Sequence, residues 1–174
     1  MDANGARIEL HLLTADGVYL NNPELPLLVY SNALNLKAVR DKEMLITELF
    51  KKNGWTKSWV DGVYDYHHYH SNAHEVLGIS SGECTLQLGG SEGMIEMLKA
   101  GDVLIIPAGV VHKRSDCSPD FTCVGAYADD RSYDMNYCKV EEKERALKNI
   151  REVPIPAADP VYGTDGPLKD YWVQ

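Results

Sequence analysis

Hydrophobic and polar positions along the chain change their spacing more than once, and each change predicts a different kind of element. Up to Tyr30 the apolar residues come in short runs separated by turn formers: Arg7 to Thr14, then Asp16-Gly17, Asn21-Asn22-Pro23 and Pro26, then Leu27 to Tyr30. Such runs predict short extended pieces around turns. From Asp41 to Lys52, Leu45 with Leu49 and Ile46 with Phe50 form the i, i+4 stripe of an amphipathic helix, closed by Asn53-Gly54. From Trp59 to Tyr127 the pattern becomes β-type: Val63 to His70, Glu75 to Ile79, Glu83 to Leu88, Met94 to Leu98, Val103 to Ile106 and Phe121 to Tyr127. Turns fall at Ser81-Gly82, Gly89-Gly90 and Gly101-Asp102, and short strands at regular spacing predict an all-β sandwich or barrel.

After Tyr137, the charged stretch Glu141 to Asn149, with Leu147 and Ile150 as its apolar positions, predicts a short, solvated surface helix that Pro154 and Pro156 end. The remainder, Pro154 to Gln174, has four prolines but also Val161, Tyr162, Tyr171 and Trp172. That is too much apolar surface for a disordered linker, so the tail is expected to pack on its own domain or on a second subunit.

Composition narrows the class. The 174 residues, 44% hydrophobic and 25% charged, suit one compact domain spanning 1–174. A formal charge of -9, with no run rich in Lys and Arg, disfavours nucleic acid and anionic lipid as partners. Met1 to Leu13 carry Asp2, Arg7, Glu9 and His11 instead of an unbroken apolar block, which predicts neither secretion nor membrane insertion and hence a cytoplasmic protein. Cys84, Cys117, Cys123 and Cys138 lack Cys-x-x-Cys spacing and are expected as reduced, half-buried thiols, with a Cys117–Cys123 pair open in an oxidising setting.

The chemistry is concentrated in two blocks. In the first, Gly62 is followed after five residues by His68, Tyr69 and His70, after four more by Glu75, and after six more by Gly82. Residues two apart on a strand share a face, so His68 and His70 point together, along with Tyr64 and Tyr66. Ser71-Asn72-Ala73 has turn character, so a returning strand places Glu75 opposite the pair and turns His74 away. In the second block Gly101 is followed by Pro107-Ala108-Gly109 and then His112, a shaped turn delivering one more imidazole from a separate strand. Three imidazoles and one carboxylate suit a divalent ion such as Fe, Mn, Co, Ni or Zn, and an octahedral ion keeps two positions for water or substrate.

The two blocks resemble the paired motifs of the cupin superfamily: glycine, five residues, His-x-His, three or four residues, Glu, six residues, Gly; then glycine, five residues, Pro-x-Gly, two residues, His, three residues, Asn. Gly62 to Gly82 meets every position of the first. Gly101 to His112 meets the second, whose last position is Asp116 here. The resemblance covers about 62–116 and implies a jelly-roll β-barrel, often dimeric, with His68, His70, Glu75 and His112 as ligands of one metal ion. The flanks are similar to the single-domain YjlB-like cupins through Asn21-Asn22-Pro23, Asn53-Gly54-Trp55-Thr56 and Asp159-Pro160-Val161-Tyr162-Gly163. The resemblance makes dioxygenase or isomerase chemistry on an oxygen-rich acid or sugar-derived small molecule the leading expectation. A non-catalytic metabolite sensor is the alternative.

Other residues carry weaker signals. Tyr64 and Tyr66 are candidates to bind or protonate a substrate, or to fill the core. Arg114 is a candidate for a substrate carboxylate, with a rim pair to Asp116 the rival. His67 and His74 are expected at the surface by default, or as hydrogen-bond partners behind the ligands. Pairing His70 with His74 on a helix, as in zinc proteases, fails because His-Glu-x-x-His is absent. Trp55 and Trp59 read as caps on the core, and Gly89-Gly90-Ser91-Glu92-Gly93 as a hairpin loop, not a phosphate cradle.

Overall fold

The computed structural model describes residues 6–173; Asp2 of the leader argument and Gln174 of the tail lie outside the described residues. Nine strands form two antiparallel sheets. The chain runs β1 (Arg7–Leu13), β2 (Asn22–Ser31), α1 (Lys42–Lys52), β3 (Trp55–Asp61), β4 (Glu75–Ser81), β5 (Glu83–Leu88), β6 (Met94–Lys99), β7 (Val103–Ile106), β8 (His112–Cys117) and β9 (Thr122–Ala128). The larger sheet has the order β1-β2-β7-β4-β9-β3 and the smaller β6-β5-β8. Among the described residues no helix is long and apolar enough to cross a membrane.

Burial explains why some strands are apolar throughout and others alternate. One face of the large sheet presents Leu27, Val29, Leu77, Ile79, Leu104 and Ile106 to Cys84, Leu86, Leu88 and Leu98 of the small sheet. Its other face, with Leu28, Tyr30, Val76, Val103, Ile105 and Val124, is covered by Ile46 and Phe50 of α1 and by Leu168 and Trp172 of the tail. Both faces of β7 and β4 are therefore dry, and both strands read as apolar runs. In β5, with only one face covered, Cys84, Leu86 and Leu88 alternate with polar residues. The helix lies so close to β4 that a Cβ on Gly78 would stand 2.8 Å from Ile46 and 2.9 Å from Phe50. Asp41 caps α1 by accepting the Met44 N–H at 2.9 Å.

Several predicted elements move. The turn expected at Asn21-Asn22-Pro23 is the entry to β2, where the Asn21 and Asn22 amides donate to the carbonyls of Gly89 and Ala108 at 2.9 and 3.0 Å. Val63 to His70 is not a strand. Asp61 accepts the Gly62 N–H at 2.7 Å and turns the chain out of β3, and the segment then crosses from the edge of the large sheet to its centre. Along that crossing it forms only single rungs, His68 with His112 and Tyr69 with Asn136. The strand on this side is β3, earlier in the chain, pairing with β9.

Beyond β9 a 3-10 turn (Val140–Glu142) leads into α2 (Lys143–Glu152). This helix is docked instead of merely solvated: Ala146, Leu147 and Ile150 pack with Leu20, Tyr69 and Val111. The tail adds a one-turn helix, α3 (Leu168–Tyr171), that the sequence pattern did not signal. Trp172 is buried and donates its indole N–H to the Pro26 carbonyl at 2.8 Å. Buried Asp159 accepts the Tyr30 hydroxyl at 2.7 Å and the N–H groups of Val161, Tyr162 and Leu168.

Candidate metal centre

The four residues of the two sequence blocks reach one place from three parts of the fold. Glu75 opens β4 at the heart of the large sheet, in register with Ile106 on one side and Tyr127 on the other. His112 opens β8 in the small sheet, opposite Leu88. It is delivered by the Pro107-Ala108-Gly109 turn, in which Gly109 has φ 93 and donates its N–H to the His70 carbonyl at 2.8 Å. A Cβ there would meet the Asn21 carbonyl at 2.7 Å, so glycine suits both the backbone angle and the packing. His68 and His70 come from the crossing segment, held by reciprocal N–H to carbonyl bonds between His68 and His112 of 3.2 and 3.0 Å.

All three imidazoles are buried, and their donor atoms lie within 4.8 Å of one another. The Glu75 Oε2 is 3.4 Å from His70 Nε2 and 3.3 Å from His112 Nε2. Each Nδ1 faces a backbone carbonyl: His68 that of Tyr66 at 3.0 Å, His70 that of Asp134 at 2.6 Å, His112 that of Val110 at 3.0 Å. A carbonyl can only accept, so each Nδ1 carries the proton and each Nε2 presents a lone pair. Three lone pairs and a carboxylate then share one buried space. The Glu75 contacts are close without being aligned hydrogen bonds, and its Oε2 has no hydrogen-bond donor. Buried acceptors that face only each other are costly unless a cation joins them, and this donor set fits a divalent transition ion.

Protons compete for the same space. Burial works against ionising Glu75, but His70 and His112 outweigh it and hold the carboxyl below its usual range. Burial likewise lowers His70, and the Glu75 charge overcomes this to raise it. His68, buried and beside His112, is held down at about 3.

The centre forms one end of a cavity of ≈ 320 Å³, a size at the lower end of small-molecule sites. Its walls are largely aromatic. Tyr127, edge-on to His70 at 5.6 Å, accepts the Trp59 indole N–H at 2.9 Å. Tyr133 stacks on Tyr127 at 4.7 Å and meets His70 at 4.7 Å. Tyr64 lines the cavity, and Tyr66 stacks on it at 5.0 Å. With 51% and 40% exposure the two are rim residues, not core filling.

Arg114 faces the same side as His112 by register but does not line the cavity. Its guanidinium lies 3.7 Å from Cys117 Sγ and 3.9 Å from Asp65, so the rim partner is Asp65, not Asp116. Asp116 follows the irregularity between β5 and β8 and accepts the Cys117 N–H instead. His74 is buried, against the surface expectation. Its Nδ1 accepts the Ala108 N–H at 2.9 Å and its ring packs on Trp172 at 4.7 Å, bracing the turn that delivers His112. His67 is half-buried against Tyr19. All four cysteines are free.

Sequence patterns missed Trp59, Tyr127, Tyr133 and Asp134 as site residues. The position of Tyr127 opposite Glu75 follows only from the β4–β9 register, while Tyr133 and Asp134 lie in an irregular segment without periodicity. Asp134 does more than supply a carbonyl: its carboxylate accepts the Ser71 N–H at 2.6 Å and the Ser71 hydroxyl.

The family model described as Cupin matches residues 65–122. The uncharacterized protein YjlB of Bacillus subtilis (strain 168) is 45% identical over 159 residues, which is 91% of this chain and 93% of that protein. Among solved structures, the QdtA 3,4-ketoisomerase from Thermoanaerobacterium thermosaccharolyticum in complex with TDP is 22% identical over 52% of this chain and 75% of its own, with a TM-score of 0.42. Acireductone dioxygenase from Bacillus anthracis, with a cadmium ion in its active centre, is 18% identical over 54% and 63%, with a TM-score of 0.39.

Proposed function

The chain belongs to the cupin family, and from that premise we propose that it is a mononuclear metalloenzyme acting on a small oxygen-rich acid or sugar-derived molecule. In this reading His68, His70, Glu75 and His112 hold one divalent ion: Fe, Mn, Ni, Co or Zn. The observation that carries it is the three-fold repeat of Nδ1 facing a carbonyl, which leaves three Nε2 lone pairs for a shared ion, two of them beside the Glu75 carboxylate. Bound there, the ion supplies Lewis-acid polarisation of a substrate oxygen for an isomerase, or an open position for dioxygenase chemistry.

The chain's own residues orient and donate. Tyr127 accepts from Trp59, which leaves its hydroxyl proton free to point at Glu75 or a substrate oxygen; burial, with the Glu75 charge, pushes the phenol well up and keeps it a donor. Tyr64 offers a hydroxyl at the mouth. Tyr66 and Arg114 act through it, the first by stacking on its ring and the second by donating its backbone N–H to the Tyr64 carbonyl at 2.8 Å.

Elemental analysis and a Co²⁺ titration followed in the visible test the centre. One ion per chain is expected for the wild type, with loss of binding in His70→Ala; a wild type that takes up no metal sinks the proposal. Metal-dependent turnover or oxygen uptake supports the enzyme, whereas tight ligand retention without turnover supports the metabolite-sensor alternative. We place the protein in a reducing compartment, the cytoplasm, on its four free thiols. We place its homodimer contact on the edge strands β1 and β6, whose Leu10, Leu12, Ile95 and Met97 are exposed.

A further inference from the structure

The candidate ligands account for one part of the cavity and leave unexplained a lysine of left-handed backbone elsewhere on its lining. Lys57 has φ 53, a left-handed backbone that is unfavourable for a residue with a Cβ and that persists in proteins mainly where function uses it. It sits where β3 slips against β9: Thr56 pairs with Tyr127 and Trp59 with Gly125, leaving Lys57 and Ser58 opposite Ala126 alone. Such a bulge redirects side chains, and it is common beside active sites. Here it keeps Trp59 in place to bond Tyr127, while Lys57 joins the cavity lining.

Among the described residues Lys57 is the only lining residue with a permanently cationic side chain. The other charged groups of the lining are Glu75 and Asp61, and Asp61 accepts the Gly62 N–H. The Lys57 ammonium has a loose partner in Asp130, at 3.7 Å, with the Lys57 side chain 42% and the Asp130 side chain 76% exposed. Asp130 in turn accepts the Thr56 hydroxyl at 2.9 Å. At the inner end, a divalent ion with three neutral imidazoles and one carboxylate would carry one net positive charge. With that ion bound, the cavity would carry one positive charge at the imidazoles and another on Lys57, on a lining that also holds the rings of Trp59, Tyr127 and Tyr133.

We propose that the cavity selects a small organic acid with two anionic groups, one at the metal and one paired with Lys57, its carbon frame lying against Trp59, Tyr127 and Tyr133. This names the substrate class of the proposed metal centre and rests on that reading.

The test uses Co²⁺-loaded protein titrated with malonate, succinate and glutarate, and with butyrate as the monoanion, followed by the Co²⁺ spectrum and by calorimetry. At least one dicarboxylate binds roughly tenfold or more tighter than butyrate, the gain of a charge-assisted pair. Lys57→Met removes that preference, while Lys57→Arg keeps it. Absence of any preference in the wild type, or its survival in Lys57→Met, overturns the assignment while the metal centre stands. Failure of the protein to bind Co²⁺ overturns both.

Discussion

A histidine can offer its Nε2 lone pair to a metal when a partner holds the proton on Nδ1. For His68, His70 and His112 that partner is a main-chain carbonyl, which no side-chain substitution at the carbonyl's own residue deletes. The four candidate residues were legible in the sequence because the spacing of the two blocks singles them out. Their tautomers were not, since the carbonyls of Tyr66, Asp134 and Val110 reach the rings only after folding. His74 shows the same limit: its bond to the Ala108 N–H joins residues 34 positions apart, so parity alone assigned it to the surface. The thiols give a residue-scale prediction. Burial pushes Cys84 from 9.0 to about 12, so the folded state holds this proton more tightly than the unfolded chain. Stability from the neutral thiol is therefore full below about pH 9 and declines as pH rises toward 12. Iodoacetamide at pH 8 should label Cys84 in native protein slower than in urea by roughly three orders of magnitude, as measured by mass spectrometry. Comparable rates would mean that the thiol is not shielded.

At the scale of elements, the segment after β9 is what makes the crossing segment rigid enough to carry ligands. A loop with single rungs would be a poor support for His70, yet Asp134 grips Ser71 through N–H and hydroxyl, Asn72 accepts the Asp134 N–H at 2.8 Å, and Asn149 of α2 donates to Ser71. Asp134→Ala should weaken metal binding ten- to a hundred-fold, the usual effect of losing a group that orients a ligand, while the fold remains. A Co²⁺ titration reads the affinity and the d–d spectrum reads the geometry; unchanged values for both would assign Asp134 to stability alone. Strands buried on both faces, such as Val103–Ile106, and strands with one polar face, such as Glu83–Leu88, were found at their observed bounds from pattern alone. Val63 to His70 was misread because its alternation of aromatic and polar residues mimics a strand, whereas its backbone partners are scattered over β8, the turn at Gly109 and Asn136 of the irregular segment after β9. The bulge at Lys57 hid β3 in the same way, by breaking the alternation between Trp55 and Trp59.

For the whole molecule, the tail closes the outer face of the large sheet. Trp172→Ala removes a buried indole and its bond to Pro26, and should cost about 3–5 kcal/mol in urea unfolding. A cost below about 1 kcal/mol would mean that the tail lies on the surface without supporting it. Because Trp172 also packs on His74, which braces the turn before His112, the loss should reach the centre as weaker metal retention. The placement of the four donors bears on stability as well. Glu75 belongs to the large sheet, His112 to the small one, and His68 and His70 to the segment that joins β3 to β4. An ion held by all four would join the two sheets through the large-sheet Glu75 and the small-sheet His112. Its binding would then stabilise the fold as a whole, because it would favour the state in which both sheets are closed on one another.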